Sequence, residues 1–72
     1  MQDLNDLRFF VDVVDESGFA AAARKLGMPR SRLSRRIGLL EERLGVRLIQ
    51  RSTRHFAVTD IGREYYRHCL AM

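Results

Sequence analysis

Four guanidiniums and two hydroxyls crowd into the seven residues from Arg30 to Arg36: Arg30, Ser31, Arg32, Ser34, Arg35 and Arg36. A guanidinium is a rigid fork of donors that fits phosphate oxygens, or the O6 and N7 edge of guanine, two bonds at a time. A second, smaller group follows, where Arg51 and Arg54 bracket Ser52 and Thr53. These residue types hold an anion; they do not break a bond. Ser31, Ser34, Ser52, His55 and His68 show no nucleophile, base and orienter spacing, and the chain has no Gly-rich phosphate loop, so catalysis is not expected. A lone Cys69, with His55 and His68 lacking cysteine or carboxylate company, gives neither a disulfide nor a metal site, and no cofactor motif is present.

Charge along the chain supports the same chemistry. Residues 1–23 carry Arg8 against five acids, Asp3, Asp6, Asp12, Asp15 and Glu16. Residues 24–54 carry ten bases, Arg24, Lys25, Arg30, Arg32, Arg35, Arg36, Arg43, Arg47, Arg51 and Arg54, against Glu41 and Glu42. An ordinary solvated surface rarely concentrates charge this way, so the middle of the chain is expected to be the binding face. A basic face could also dock an acidic protein or an anionic surface, and the sign of the charge does not separate those partners from nucleic acid. No apolar run reaches the roughly 18 residues of a membrane span, and the start, Met1-Gln2-Asp3-Leu4, is acidic where a signal peptide is basic. A cytoplasmic location is expected.

With 72 residues and 46% hydrophobic composition, one domain must position these groups, and it can bury only about 60% of its unfolded surface. Leu4, Leu7, Val11 and Val14, with Phe10 beside them, recur at helical spacing behind Asp3 as N-cap, so a first helix ends at Ser17-Gly18. Phe19 to Leu26 is a second helix of small side chains, which lets a neighbouring helix approach closely, and Gly27 turns the chain. Taken alone, these eight residues fit an Ala-rich surface helix equally well. From Pro29, Leu33, Ile37, Leu40 and Leu44 fall within about 60° of one another at 100° per residue, the buried side of a third helix closed by Gly45. Ser31, Arg35, Gly38 and Glu42 fall opposite, with Ser34 and Arg32 on the flanks. The first two turns of such a helix could enter a major groove; Glu42, two turns on, would be repelled by phosphate.

Val46–Ile49 and Phe56–Val58 read as short strands of a hairpin whose loop, from Gln50 to His55, carries Arg51 and Arg54 at its tip, as a wing would. Thr59 caps a last helix too apolar, through Ile61, Tyr65, Tyr66, Cys69, Leu70 and Met72, to stand alone in water. That helix ends in mid-pattern, as expected of a domain cut from a longer protein.

The string from Ser34 to Arg51, with the spacing Ser-Arg-x-Ile-x-x-Leu-Glu-x-x-Leu-Gly-x-x-Leu-x-x-Arg, preceded by Phe19 to Ala23 and followed by Val58, Thr59 and Gly62, resembles the N-terminal DNA-binding domain of LysR-type transcriptional regulators. The resemblance covers essentially the whole chain. It implies a mainly α, winged helix-turn-helix fold with three helices, a two-stranded wing and a C-terminal linker helix, divided at 1–58 and 59–72. It implies sequence-specific binding to double-stranded DNA with an imperfect inverted repeat: helix 30–44 in the major groove, wing 47–58 on the flanking backbone or minor groove. It also implies a homodimer through the helix from Thr59, and an effector-binding domain that this chain lacks. Carried over by position, Arg30, Ser31, Ser34 and Arg35 match recognition-helix places, Arg51 and Arg54 match wing places, and Glu41 holds the fold; Arg32 and Arg36 join the expected DNA-binding set. Three positions depart from the pattern: Ala20 stands where a hydroxyl is common, Gly18 where a Ser caps the second helix, and Ile49 where Phe is frequent. The first removes one possible phosphate contact.

Overall fold

The computed structural model describes residues 4–50 and 55–71, so Asp3 and the Arg51 to Arg54 loop tip lie outside the described residues, as does the Leu4 side chain. Four helices and one short ribbon follow in order: α1 Leu4–Asp15, α2 Phe19–Leu26, α3 Arg30–Leu44, β1 Ile49–Gln50, β2 Ala57–Val58 and α4 Asp60–Ala71. This is the mainly helical winged arrangement expected from the sequence. Local signals set most boundaries. Gly27 and Gly45 end α2 and α3 in left-handed conformations at φ 68° and 72°, where an L side chain is disfavoured. Each is followed by a backbone bond that ties off its helix, Met28 N–H to the Ala23 carbonyl at 3.1 Å and Val46 N–H to the Glu41 carbonyl at 3.3 Å.

Phe10, Val13, Ala22, Ala23, Leu33, Ile37, Leu40, Leu48 and Ile49 form the core. The α3 positions are those the helical wheel selects, with Leu44 half-buried at the edge. Ala22 and Ala23 are small enough for α2 to lie close against both α1 and α3. On α1 the buried line differs from the expected stripe. It keeps Leu7 and Phe10 of that stripe and adds Asp6, Asp12 and Val13, while Val11 and Val14 are only half-buried. Asp6 on this face meets two arginines of α3.

The ribbon is antiparallel, pairing Ile49 with Val58 and Gln50 with Ala57. It starts later than the expected Val46, and at its root the Leu48 and Ile49 amides both donate to the Glu41 carboxylate, at 2.8 and 3.1 Å. α4 begins as expected, with the Gly62 N–H donating to the Thr59 hydroxyl at 2.9 Å. It then packs along α1, where Tyr65 tilts against Phe10 at 5.6 Å between ring centres and the Tyr66 hydroxyl donates to the Asp15 carboxylate.

Hydrogen bonding to Asp15 raises the Tyr66 pKa above its ordinary 10.0, and hydrogen bonding to Asp12 raises that of Lys25 above 10.5. Both groups hold their proton more tightly folded than unfolded. Their stabilisation is therefore complete below about pH 10 and drains away as pH rises through the raised values. Thermal melts from neutral pH to about pH 11 should show Tm falling along this alkaline limb. Tyr66→Phe should lower Tm at neutral pH and converge on the wild type at high pH; a constant offset would contradict the Tyr66–Asp15 bond.

Candidate nucleic-acid interface

Two helix starts and the ribbon meet around one open groove of about 620 Å³, lined by Gly18, Phe19 and Ala20 of the α2 start, Arg30, Ser31 and Ser34 of α3, and Gln50, His55 and Phe56 beside the ribbon. Neither helix start is blocked. Gly18 and Pro29 occupy the N-cap positions without a side-chain bond, and neither first turn contains an acid. The leading N–H groups of a helix have no partner within it, and the helix dipole adds partial positive charge there, so both starts favour an anion. α1 and α4 contrast with them, carrying Asp6 and Asp60 in their first turns.

The basic segment is not uniformly available. Asp6, only 3% exposed, takes the Arg36 guanidinium through Nε and Nη2, each 2.9 Å from Oδ1, and binds Arg43 through its other oxygen. Lys25 lies 3.2 Å from Asp12 and 3.8 Å from Glu16, and Arg47 lies 3.5 Å from Glu41. Arg30, Arg32 and Arg35 are exposed and make no ion pair among the described residues. The acidic head thus pairs with Lys25, Arg36 and Arg43 on either side of the α3 start. Between them, Arg30, Arg32 and Arg35 of the opening turns of α3 keep their charge.

The residues expected at the site divide between two sides of α3. Arg30, Ser31 and Ser34 line the groove together, and Arg35 is exposed on the same side of the wheel. Arg32 and Arg36 face α1 instead, lining a separate hollow with Asn5, Phe9 and Met28. There the Arg36 guanidinium also lies over the Phe9 ring at 5.6 Å. Arg51 and Arg54 lie outside the described residues. Gln50 and His55, absent from the expected set, line the groove; the signal that could have found them is their place at the two ends of the polar loop. Ala20 is exposed in the groove wall, where a hydroxyl would have faced the same space. Glu41 holds the fold, as expected.

Because Asp6 is buried but its arginine partners remain 38% and 42% exposed, solvent screens the pairs and their loss should be moderate. Asp6→Ala should cost about 1–3 kcal/mol in denaturant unfolding, and Arg36→Met less, since Arg43 still serves the carboxylate. Equal losses would contradict a shared carboxylate.

A family model described as bacterial regulatory helix-turn-helix protein, lysR family, matches residues 4–63. An HTH-type transcriptional regulator of Xanthomonas campestris is 48% identical over 67 residues, covering 93% of this chain and 20% of that protein. The HTH-type transcriptional activator BauR of Pseudomonas aeruginosa is 49% identical over 65 residues, covering 90% of this chain and 21% of its own length. The chain thus spans about a fifth of these curated relatives. Among solved structures, the BenM DNA-binding domain in complex with benA site 1 DNA superposes with a TM-score of 0.93 at 40% identity, covering 97% of this chain and 81% of that one.

Proposed function

This chain belongs to the lysR family of bacterial regulatory helix-turn-helix proteins, and from that membership we propose that it is the sequence-specific, double-stranded-DNA-binding domain of a transcriptional regulator. The observation that carries the proposal is the groove, where two helix starts without a side-chain cap converge with Ser31, Ser34 and the Arg30 guanidinium, which makes no ion pair among the described residues, while Arg36 and Arg43 are paired with Asp6. The likeness to a BenM domain in complex with DNA supports it.

In this account the first two turns of α3 enter the major groove. Arg30 and Arg35 read guanine, Ser31 and Ser34 bond base edges or nearby phosphates, and the α2 start takes a backbone phosphate. Arg32 reaches the flanking backbone, and Arg51 and Arg54 carry the wing to the adjacent backbone or minor groove. Arg36, committed to Asp6, acts as a positioning residue and not as a contact. Residues 1–58 form the binding unit, and the helix from Thr59 begins a homodimer contact that includes Ile61 and Leu70, 49% and 58% exposed. Two such domains related by a dyad would meet major grooves about 34 Å apart, so the site is an imperfect inverted repeat. The parent protein carries a separate effector-binding domain and works in the cytoplasm. No described helix is long and apolar enough to cross a membrane.

Selection of duplexes from a random pool at fixed salt should yield one half-site, bound about 10³-fold or more tighter than scrambled DNA. Equal binding to both would mark a general basic module that docks acidic partners. Arg35→Ala should cost about 1–3 kcal/mol and relax one base position, whereas Arg51→Ala or Arg54→Ala should weaken all sequences and lower the salt slope by about one. Unchanged affinity and preference in Arg35→Ala would remove that residue from the reading.

A further inference from the structure

α4 packs along α1, which in turn packs on the reading helix α3, and a second, polar link between α4 and α3 runs through the segment Arg47–Ile49 at the root of the ribbon. That segment is held from both sides. From α3, the Glu41 carboxylate, 4% exposed, accepts the Leu48 and Ile49 amides. From α4, the Thr59 amide donates to the Leu48 carbonyl at 3.0 Å, and the Thr59 hydroxyl donates to the Arg47 carbonyl at 2.6 Å, with the Leu48 carbonyl 3.2 Å away. The same hydroxyl accepts the Gly62 amide. Gly62 completes the contact by having no side chain: a Cβ there would sit 2.2 Å from the Leu48 carbonyl oxygen and 2.7 Å from Val58 Cγ1. The first turn of α4 is therefore pressed onto the two peptide units, Arg47–Leu48 and Leu48–Ile49, whose N–H groups donate to Glu41, and these tie the start of α4 to α3.

We propose that this Glu41–Leu48–Thr59 clasp sets the distance between half-sites, so that Thr59 and Gly62 determine operator specificity without touching DNA. The inference rests on the dimer reading above: if α4 pairs two subunits, its direction at the clasp fixes how far apart, and at what rotation, the two α3 helices stand. One added base pair moves a half-site by about 3.4 Å and turns it by about 35°, so a small change of direction at the root alters which spacing fits. The clasp acts on register, while the groove residues act on base identity.

The test uses this chain with duplexes built from the half-site it selects: one with a single half-site, and a series of inverted repeats whose spacer runs from two base pairs short to two long. The wild type is expected to favour one spacer about tenfold over its neighbours. Thr59→Val, which keeps shape and loses the hydroxyl, should bind the single half-site within about twofold of wild type, while its spacer preference shifts or flattens to about twofold or less. Gly62→Ala should do the same through steric pressure, and Thr59→Ser, which keeps the hydroxyl, should restore the wild-type profile. An unchanged spacer optimum and preference in both Thr59→Val and Gly62→Ala would overturn the proposal. So would loss of single half-site binding in Thr59→Val, which would make the hydroxyl a part of the fold alone. A wild type with no spacer preference would instead remove the dimer reading, and the clasp with it.

Discussion

A carboxylate buried between α1 and α3 decides which arginines of this domain remain free to meet a ligand. Asp6 engages Arg36 and Arg43 together, and in doing so joins the acidic head to the rear half of the basic segment. Removing charge from water is unfavourable, and a buried carboxylate persists only where donors replace its hydration. Two guanidiniums supply those donors. Each is thereby held on the side of α3 that faces α1, while Arg30 and Arg35 stay exposed with no ion pair among the described residues. The asymmetry of the surface follows from pairing inside the fold, not from where bases occur along the chain.

Glu41 applies the same physics to backbone groups. After Gly45 closes α3, the chain descends towards the ribbon with amides that neither helix nor strand can satisfy. Glu41 accepts two of them and meets Arg47 as well. Buried amides left without an acceptor are costly, so a side chain of the preceding helix anchors the root of the ribbon. Recognition helix, ribbon and α4 are thus joined by polar contacts at one point, with apolar packing behind them in Phe10, Leu40 and Leu48.

What could be read in advance was local. The bounds of α2 and α3, the left-handed glycines at Gly27 and Gly45, the Thr59 cap and the apolar line through Leu33, Ile37 and Leu40 depend on neighbours within a turn or two. The burial of Asp6 on α1 and the capture of the Leu48 and Ile49 amides were not legible, because their partners lie beyond the local turn: Arg36 and Arg43 for Asp6, Glu41 for the amides. Arg36 stood with the expected DNA-binding residues because its acid, thirty residues away, could not be read from its own neighbours. Gln50 and His55 entered the groove through the ribbon's register, which composition alone does not specify.

Backbone amide and arginine side-chain NMR shifts, followed as the domain is titrated with a duplex carrying its selected half-site, test the central claim most directly. The account predicts that changes concentrate at Phe19–Ala21, at Arg30 to Arg35 and beside the ribbon at Gln50 and His55, with the Arg36 and Arg43 guanidiniums still bound to Asp6. Changes centred on Arg43, Leu39 and the Asp6 pocket, with the α3 start undisturbed, would contradict it.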